Sequence, residues 1–417
     1  MVAESPKRRV RLPRVLEPHF IQWRRDLRTV VAGLRGQRAP TWLPRDGSRY
    51  PSAAPSKHIA TRELEIIEVT RETRSAVSLI FRAADGQPLP AIRPGQFFTL
   101  LVELDGETHR RAYSVSSDCR VRDRFSVTIK RVVDGRVSNH LNDHAAPGQR
   151  LRVLGPSGEF ARALAGVPKR EAARKLVLIA GGSGITPMMG LIRTLLSSES
   201  NPHQFALIYA NRDAEQVIFA AELHALAAEH RGRLAIHEIL EQPPIHWTGA
   251  RGRCDRPTLS RLLDASTLAH GPEAEFLLCG PAPMMAIARE LLEQRGVTPA
   301  RVHSESFLAP RLDASASAKT LRPQPVTLIV DQREIDVVVQ PGQTLLDAGL
   351  AAGLALPYSC TMGGCAACKV KLERGAVVMR EPNCLAANER AAGHVLACVA
   401  KPTEPCRVRV VANDHET

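Results

Sequence analysis

The sequence predicts a multidomain protein in which a small antiparallel β-barrel is followed by an α/β domain on a parallel sheet and then by a third, smaller domain. Three observations predict it. Short β-type runs punctuated by Gly and Pro follow one another from His58, as in a compact antiparallel barrel. Strands then alternate with helices from Lys175 to about Phe307, the pattern of a parallel sheet wound with helices. Finally, a stretch of Pro, Ala, Ser, Lys and Arg with little apolar content follows Pro310, and a hairpin pattern resumes beyond it. The 417 residues also exceed what one core ordinarily organises.

Taken in order, residues 1–57 form a basic extension in which Leu16, Phe20, Trp23, Leu27, Val30, Val31 and Leu34 recur at helical spacing, opposite an Arg-rich face. This amphipathic helix reads first as one packed on the body of the protein or as a loosely ordered arm. The alternative is docking on an anionic membrane surface or a partner. The barrel is expected over 58–165, with strands at Glu63–Val69, Ala76–Phe81, Phe97–Val102, Phe125–Lys130 and Arg150–Leu154. The α/β domain is expected over 171–309. Its strands are Leu176–Ala180, Phe205–Tyr209 and Glu275–Leu278, and its helices are Pro187–Leu196, Val217–His230 and Met284–Arg295. A linker at 310–322 leads to a domain at 323–413, opened by a hairpin of Val326–Val330 with Ile335–Val339.

Composition narrows the function classes. The net charge of +13 invites a nucleic-acid reading, but residues 1–57 hold 13 Lys+Arg against 4 Asp+Glu, and the segment from Pro323 onward is near neutral. The basicity belongs to the arm, and no nucleic-acid partner is inferred. No run of about 18–20 apolar residues predicts a membrane span, and no signal-peptide pattern follows the basic N-terminus, so the expected compartment is the cytoplasm, with the arm offering peripheral membrane contact. Nine cysteines, an odd number with four at metal-ligand spacing, argue against a disulfide framework.

Those four thiols are the strongest signal. Cys360, Cys365 and Cys368 stand four and two residues apart, and Cys398 lies far downstream, the C-x4-C-x2-C…C arrangement of a 2Fe-2S cluster. Soft thiolates hold ferric and ferrous iron, and Gly363, Gly364, Ala366 and Ala367 let the loop wrap with its N–H groups on the sulfurs. Structural zinc prefers two close pairs, whereas here three thiols share one loop. Cys384 fits the spacing less well and reads as packing.

Two further motifs gain meaning together. Arg111-Ala112-Tyr113-Ser114 leaves a predicted strand with an Arg suited to a pyrophosphate, a Tyr suited to stacking and a Ser able to reach a ring nitrogen. Val177–Ile179 runs into Gly181-Gly182-Ser183-Gly184-Ile185-Thr186-Pro187 and an apolar helix, where glycines admit a phosphate and the helix N-terminus supplies donors. It is not a complete G-x-G-x-x-G fingerprint, because Pro187 holds the last position.

In the order RAYS, GRVSNHL, GGSGITPMM, YANR, LLCGPAPMM and ESF, residues 60–308 resemble the ferredoxin–NADP reductase superfamily, and the segment around the four cysteines resembles plant-type ferredoxins. With that domain order the chain looks most similar to oxygenase reductase components of the phenylacetyl-CoA epoxidase and 3-ketosteroid hydroxylase type. The resemblance implies an FAD-binding barrel, an NAD(P)-binding α/β domain and an α+β, β-grasp ferredoxin domain. It implies that Arg111, Tyr113, Ser114, Ile129, Lys130, Gly135, Val137 and Ser138 hold FAD, and that Gly182, Gly184 and Thr186 meet NADH or NADPH. Asn211 and Arg212 would meet the adenosine ribose, and Cys279, Gly280, Pro281 and Met284 would lie beneath the nicotinamide. Glu305 and Phe307 would border the flavin, and Cys360, Cys365, Cys368 and Cys398 would ligate the cluster.

A nicotinamide delivers a hydride, a 2Fe-2S cluster accepts one electron, and a flavin converts between the two. The expected activity is therefore NAD(P)H-dependent oxidoreduction, passing electrons through FAD and the cluster to a protein acceptor such as an oxygenase, hydroxylase or desaturase. Ser114 and Thr186 are the candidates for hydrogen bonding near flavin N5, with Cys279 and Glu305 beside the reacting rings. The competing readings are a stand-alone reductase of a small molecule or quinone, and a redox sensor.

Overall fold

The computed structural model describes residues 61–158, 160–161, 174–196, 203–271, 273–307, 322–358, 360–364, 366–381, 383–385 and 387–410. The N-terminal helix expected over residues 16–34, most of the linker, and Cys365 lie outside the described residues.

The first domain comprises β1 (Arg62–Thr73), β2 (Ala76–Ala83), β3 (Phe97–Leu104), β4 (Glu107–Ser114), β5 (Arg124–Lys130), α1 (Arg136–His144) and β6 (Arg150–Ser157). Its strands form a six-stranded antiparallel sheet in the order β4-β3-β6-β1-β2-β5. A bridge from Val115 to Val127 joins the two edges, so the sheet curls into a barrel. Leu64, Ile66, Val77, Leu79, Phe81, Phe98, Leu100 and Phe125 fill it. The helix α1 is an addition to the sequence reading. Its short, polar run sinks only Val137 and Leu141 into the barrel among its apolar residues.

The second domain is a six-stranded parallel sheet. Along the chain it runs β7 (Lys175–Gly181), α2 (Ile185–Leu196), β8 (Gln204–Asn211), α3 (Ala220–Glu229), β9 (Leu234–Leu240), β10 (Ala250–Arg251), α4 (Arg256–Ala265), β11 (Ala274–Cys279), α5 (Ala282–Gln294) and β12 (Val302–Glu305). The spatial order is β10-β9-β8-β7-β11-β12, so the winding reverses between β7 and β11. Ligands of such sheets bind at that reversal, beyond the carboxyl ends of the strands. The helix expected over Val217–His230 begins later, at Ala220. Phe219 takes a left-handed φ of +62°, and Val217, Ile218 and Phe219 are buried in the core instead of opening the helix. Ile218 N–H donates to the Tyr209 hydroxyl at 3.2 Å, which pins this segment.

The third domain holds β13 (Gln324–Val330), β14 (Arg333–Val339), α6 (Leu345–Ala351), β15 (Lys369–Arg374), β16 (Val377–Met379), α7 (Ala387–Ala391), β17 (His394–Leu396), β18 (Ala400–Pro402) and β19 (Cys406–Val410). The five-stranded mixed sheet runs β14-β13-β19-β15-β17, with β13 and β19 parallel, and β16 pairs separately with β18. A reciprocal capping box between Thr344 and Asp347 starts α6. The fold class expected from the sequence is the one observed: antiparallel, then parallel, then mixed α+β.

Candidate functional site

The barrel and the parallel sheet meet along α2. Arg193 donates from Nη1 to the Ser116 carbonyl at 2.5 Å, pairs with Glu222, and lies 4.8 Å over the Phe219 ring. Thr194 Oγ1 accepts from Cys119 N–H at 2.9 Å and donates to the Gly190 carbonyl at 2.6 Å. The two domains approach closely at Gly190, where a Cβ would stand 2.4 Å from the Val115 carbonyl oxygen. This contact fixes the N-terminus of α2 relative to β4. Gly190, Arg193 and Glu222 escaped the sequence reading. A glycine within an apolar helix was their only signal.

Three strand ends converge at the site. Ser114 ends β4 and is buried, and its Oγ donates to Glu305 Oε2 at 3.0 Å. Glu305 ends β12 and pairs in register with Cys279, the fully buried last residue of β11. Residues more than 160 apart in sequence are thus gathered at one point, and all three were singled out from the sequence. Burial pushes the Glu305 carboxyl up to about 7, and the hydrogen bond from Ser114 offsets part of the rise. Burial raises the Cys279 thiol well above its ordinary value, with Glu305 adding to the effect, so this thiol is neutral at physiological pH.

At the sheet's reversal, Gly182–Gly184 make one tight turn between β7 and α2. Gly184 admits no side chain, because a Cβ would lie 2.0 Å from the Cys279 carbonyl oxygen. That approach sets Gly184 against Cys279 and Gly280, and Thr186, two residues farther on, is buried. Pro281 caps α5, and Met284 packs beneath the turn. The Gly181 position before this turn carries no side-chain cap hydrogen bond. Asn211 ends β8 and is buried, with its side-chain amide beside the Tyr209 hydroxyl. Its neighbour Arg212 is exposed. A buried amide and an exposed guanidinium at the carboxyl end of β8 suit a nucleotide ribose.

The residues expected to cradle FAD separate into two groups. Arg111 and Tyr113 share one face of β4, and burial raises the Tyr113 hydroxyl while Arg111 opposes the rise. Gly135 opens α1 without a side-chain cap, and Ser138 Oγ accepts from Val132 N–H at 3.1 Å to shape the turn before it. A pyrophosphate fits this uncapped helix start. Ile129 and Val137 point into the barrel core, so only their main chains face outward. Lys130 ends β5, and its ammonium stands 3.4 Å from the Cβ position of Gly182, where burial lowers its pKa and Asp213 opposes the drop. Phe307 follows β12 and is 45% exposed, the more open side of the site.

In the third domain, Cys360, Cys368 and Cys398 are each buried, in the segment between α6 and β19. Met362 and Gly364 N–H groups donate to Cys360 Sγ at 3.4 and 3.3 Å, and Gly363 N–H donates to Cys398 Sγ at 3.3 Å. Backbone donors aimed at sulfur are what thiolate ligands of an iron–sulfur cluster require, so the described ligands fit that group. Cys384 is exposed as a residue, yet its thiol is packed near Cys360 and Cys368, and its N–H donates to the Gly363 carbonyl at 2.8 Å, which braces the ligand loop.

Comparison with known proteins agrees with this geometry. Residues 63–161 match the model of the oxidoreductase FAD-binding domain, 178–290 that of the oxidoreductase NAD-binding domain, and 328–403 that of the 2Fe-2S iron-sulfur cluster binding domain. The chain is 36% identical to one of the subunits of the 1,2-phenylacetyl-CoA epoxidase of Escherichia coli K12, over 81% of this chain and 94% of that protein. It is also 36% identical to the ferredoxin reductase component of the 3-ketosteroid-9-alpha-monooxygenase of Mycolicibacterium smegmatis, over 82% and 94%. Among solved structures, phthalate dioxygenase reductase superposes with a TM-score of 0.55 at 25% identity, over 85% of this chain and 98% of its own. The chain belongs to the family of NAD(P)H-dependent flavin oxidoreductases with an appended 2Fe-2S domain that serve as reductase components of oxygenase systems.

Proposed function

We propose that hydride enters this reductase at the meeting of Ser114, Glu305 and Cys279, the observation that carries the assignment of roles. FAD held in the barrel would supply the conversion between the two-electron hydride of NAD(P)H and the single electrons that the 2Fe-2S cluster would pass to the oxygenase partner. Ser114 Oγ and Thr186 provide hydrogen bonding beside the reacting edge of the flavin. Glu305 holds the Ser114 hydroxyl in place, and its carboxyl is the titrating group of the site. Cys279, Gly280, Pro281 and Met284 form the floor beneath the nicotinamide, and the neutral, buried thiol keeps water from it. Arg111 and the start of α1 at Gly135 and Ser138 hold the flavin pyrophosphate, and Tyr113 packs on the ring. Ile129, Lys130 and Val137 complete the flavin cradle, Gly182, Gly184 and Thr186 meet the coenzyme, and Asn211 and Arg212 meet the adenosine ribose of NADH or NADPH. Cys360, Cys365, Cys368 and Cys398 ligate the cluster.

We further place the domains at 58–165, 171–309 and 323–413, with 1–57 as an extension and 310–322 as the linker. Strands beginning at Arg62, Lys175 and Gln324 support these divisions. No helix among the described residues is long and apolar enough to cross a membrane. The amphipathic arm supports a peripheral contact with a membrane-bound acceptor.

The test is reduction of cytochrome c by NAD(P)H. Rapid turnover that depends on Ser114 supports a reductase of one-electron acceptors. Absence of turnover favours a redox sensor.

A further inference from the structure

One strand carries both ends of the electron path. Side chains on a strand point alternately to its two faces, so on β4 Arg111 and Tyr113 share one face, and Ala112 and Ser114 share the other. Tyr113 packs against the barrel core. Ala112 does not. It belongs, with Phe97 of β3, to a separate apolar cluster whose other members are Cys360, Met362 and Ala367 of the ligand loop. Two residues farther along the same face, Ser114 binds Glu305 of the nicotinamide domain.

Phe97 joins these two places. It is the register partner of Ser114 across the β3–β4 ladder, which sets their Cα atoms about 4.5–5.5 Å apart. It is 4% exposed, and Cys360, which it packs against, is 0% exposed. Arg110, two residues before Ala112 on that face, senses Tyr358 of the ligand segment electrostatically. The outer face of β3–β4 is therefore covered near Ser114 by the loop that holds the cluster.

We infer that Phe97 and Ala112 form the seat on which the 2Fe-2S loop docks to receive electrons, with the packing of Phe97 on Cys360 as the shortest crossing from the flavin site. The inference rests on the assignment of Ser114 to the flavin edge. Each crossing moves one electron from the reduced flavin to a ferric ion of the cluster, which becomes ferrous. The protein acceptor takes that electron and returns the cluster to its ferric state before the second crossing; two crossings and loss of the hydride's proton to solvent then return the flavin to its oxidised form, and NAD(P)H supplies the electrons. Phe97 is a positioning residue here. It sets the separation and orientation of two groups that exchange electrons, and it takes no part in hydride transfer.

Two measurements on the full-length, cofactor-loaded chain test the seat. In rapid mixing with NAD(P)H, Phe97→Ala leaves flavin reduction within about twofold of the parent and slows the subsequent cluster reduction at least about tenfold, and Phe97→Leu falls between. Equal slowing of both phases, or an unchanged second phase, overturns the inference. If the parent protein itself shows no flavin reduction, the underlying reductase assignment fails instead. Independently of turnover, Ala112→Cys and Met362→Cys introduced together are bridged by a short bis-maleimide within one chain, as read by peptide mass spectrometry. Single labelling of both thiols without a bridge overturns the docked arrangement.

Discussion

Replacing Gly190 by alanine probes the junction that aligns the two nucleotide-binding domains. The new methyl carbon would lie 2.4 Å from the Val115 carbonyl oxygen, whereas ordinary contact begins at 3.4 Å, so α2 and the barrel must separate by about 1 Å. Overpacking of this kind costs about 1–3 kcal/mol. For a unit of this size the melting midpoint falls by about 2–12 °C. The kinetic effect is larger in proportion. Ile185, which opens α2, lies five residues or about 7.5 Å along the helix from Gly190, so a displacement there moves Thr186 relative to Ser114. A misplacement of about 1 Å at reacting groups lowers rates by about a hundredfold. The assay is the first phase of flavin reduction by NAD(P)H under rapid mixing, with flavin content checked by absorbance. A Gly190→Ala protein that keeps its flavin, its melting midpoint and its reduction rate refutes the close approach of α2 to the barrel.

Other expectations follow from the same geometry. Cys360→Ser removes a cluster ligand. The iron–sulfur absorbance is lost and cytochrome c reduction falls at least about tenfold, while ferricyanide reduction, drawn from the flavin, stays within about twofold. Flavin reduction declines as pH rises through about 7, because Glu305 then loses its proton and its negative charge opposes the electrons arriving on the flavin. Glu305→Gln abolishes this pH dependence, and a decline that persists in the variant assigns it to another group. The same raised pKa makes the Glu305 contribution to stability full below the ordinary carboxylate range and lost as pH rises through about 7, which urea unfolding at pH 5 and pH 8 compares. Deleting residues 1–50 lowers turnover of a membrane-bound acceptor and spares dye reduction; unchanged coupling removes the arm from acceptor recognition.

The sequence displayed some parts of this protein much more openly than others. The parallel sheet was legible because its strands, such as Leu176–Ala180, are continuous apolar runs followed by helical periodicity, and the cluster loop was legible because ligand spacing is local. The short helix Arg136–His144 was hidden by its polarity, since barrel burial and not propensity holds it in place. The run Phe97–Val102 is buried on both faces, so nothing in its pattern distinguishes Phe98, inside the barrel, from Phe97, which meets the ferredoxin domain. Alternation reports burial but not the identity of the covering element. Arg193 and Glu222 are 29 residues apart and meet only because the fold brings α2 and α3 within side-chain reach of each other. The triad of Ser114, Cys279 and Glu305 could be named from motif order, but only the fold supplies the hydrogen bond that joins two of them.

The central claim is one path from NAD(P)H through flavin to cluster within a single chain. An anaerobic titration with NADH, and separately with NADPH, following flavin and iron–sulfur absorbance, tests it most directly. The account predicts bleaching of both bands and an electron paramagnetic resonance signal from a reduced 2Fe-2S centre. A protein whose flavin is absent, or is reduced by neither coenzyme, contradicts it.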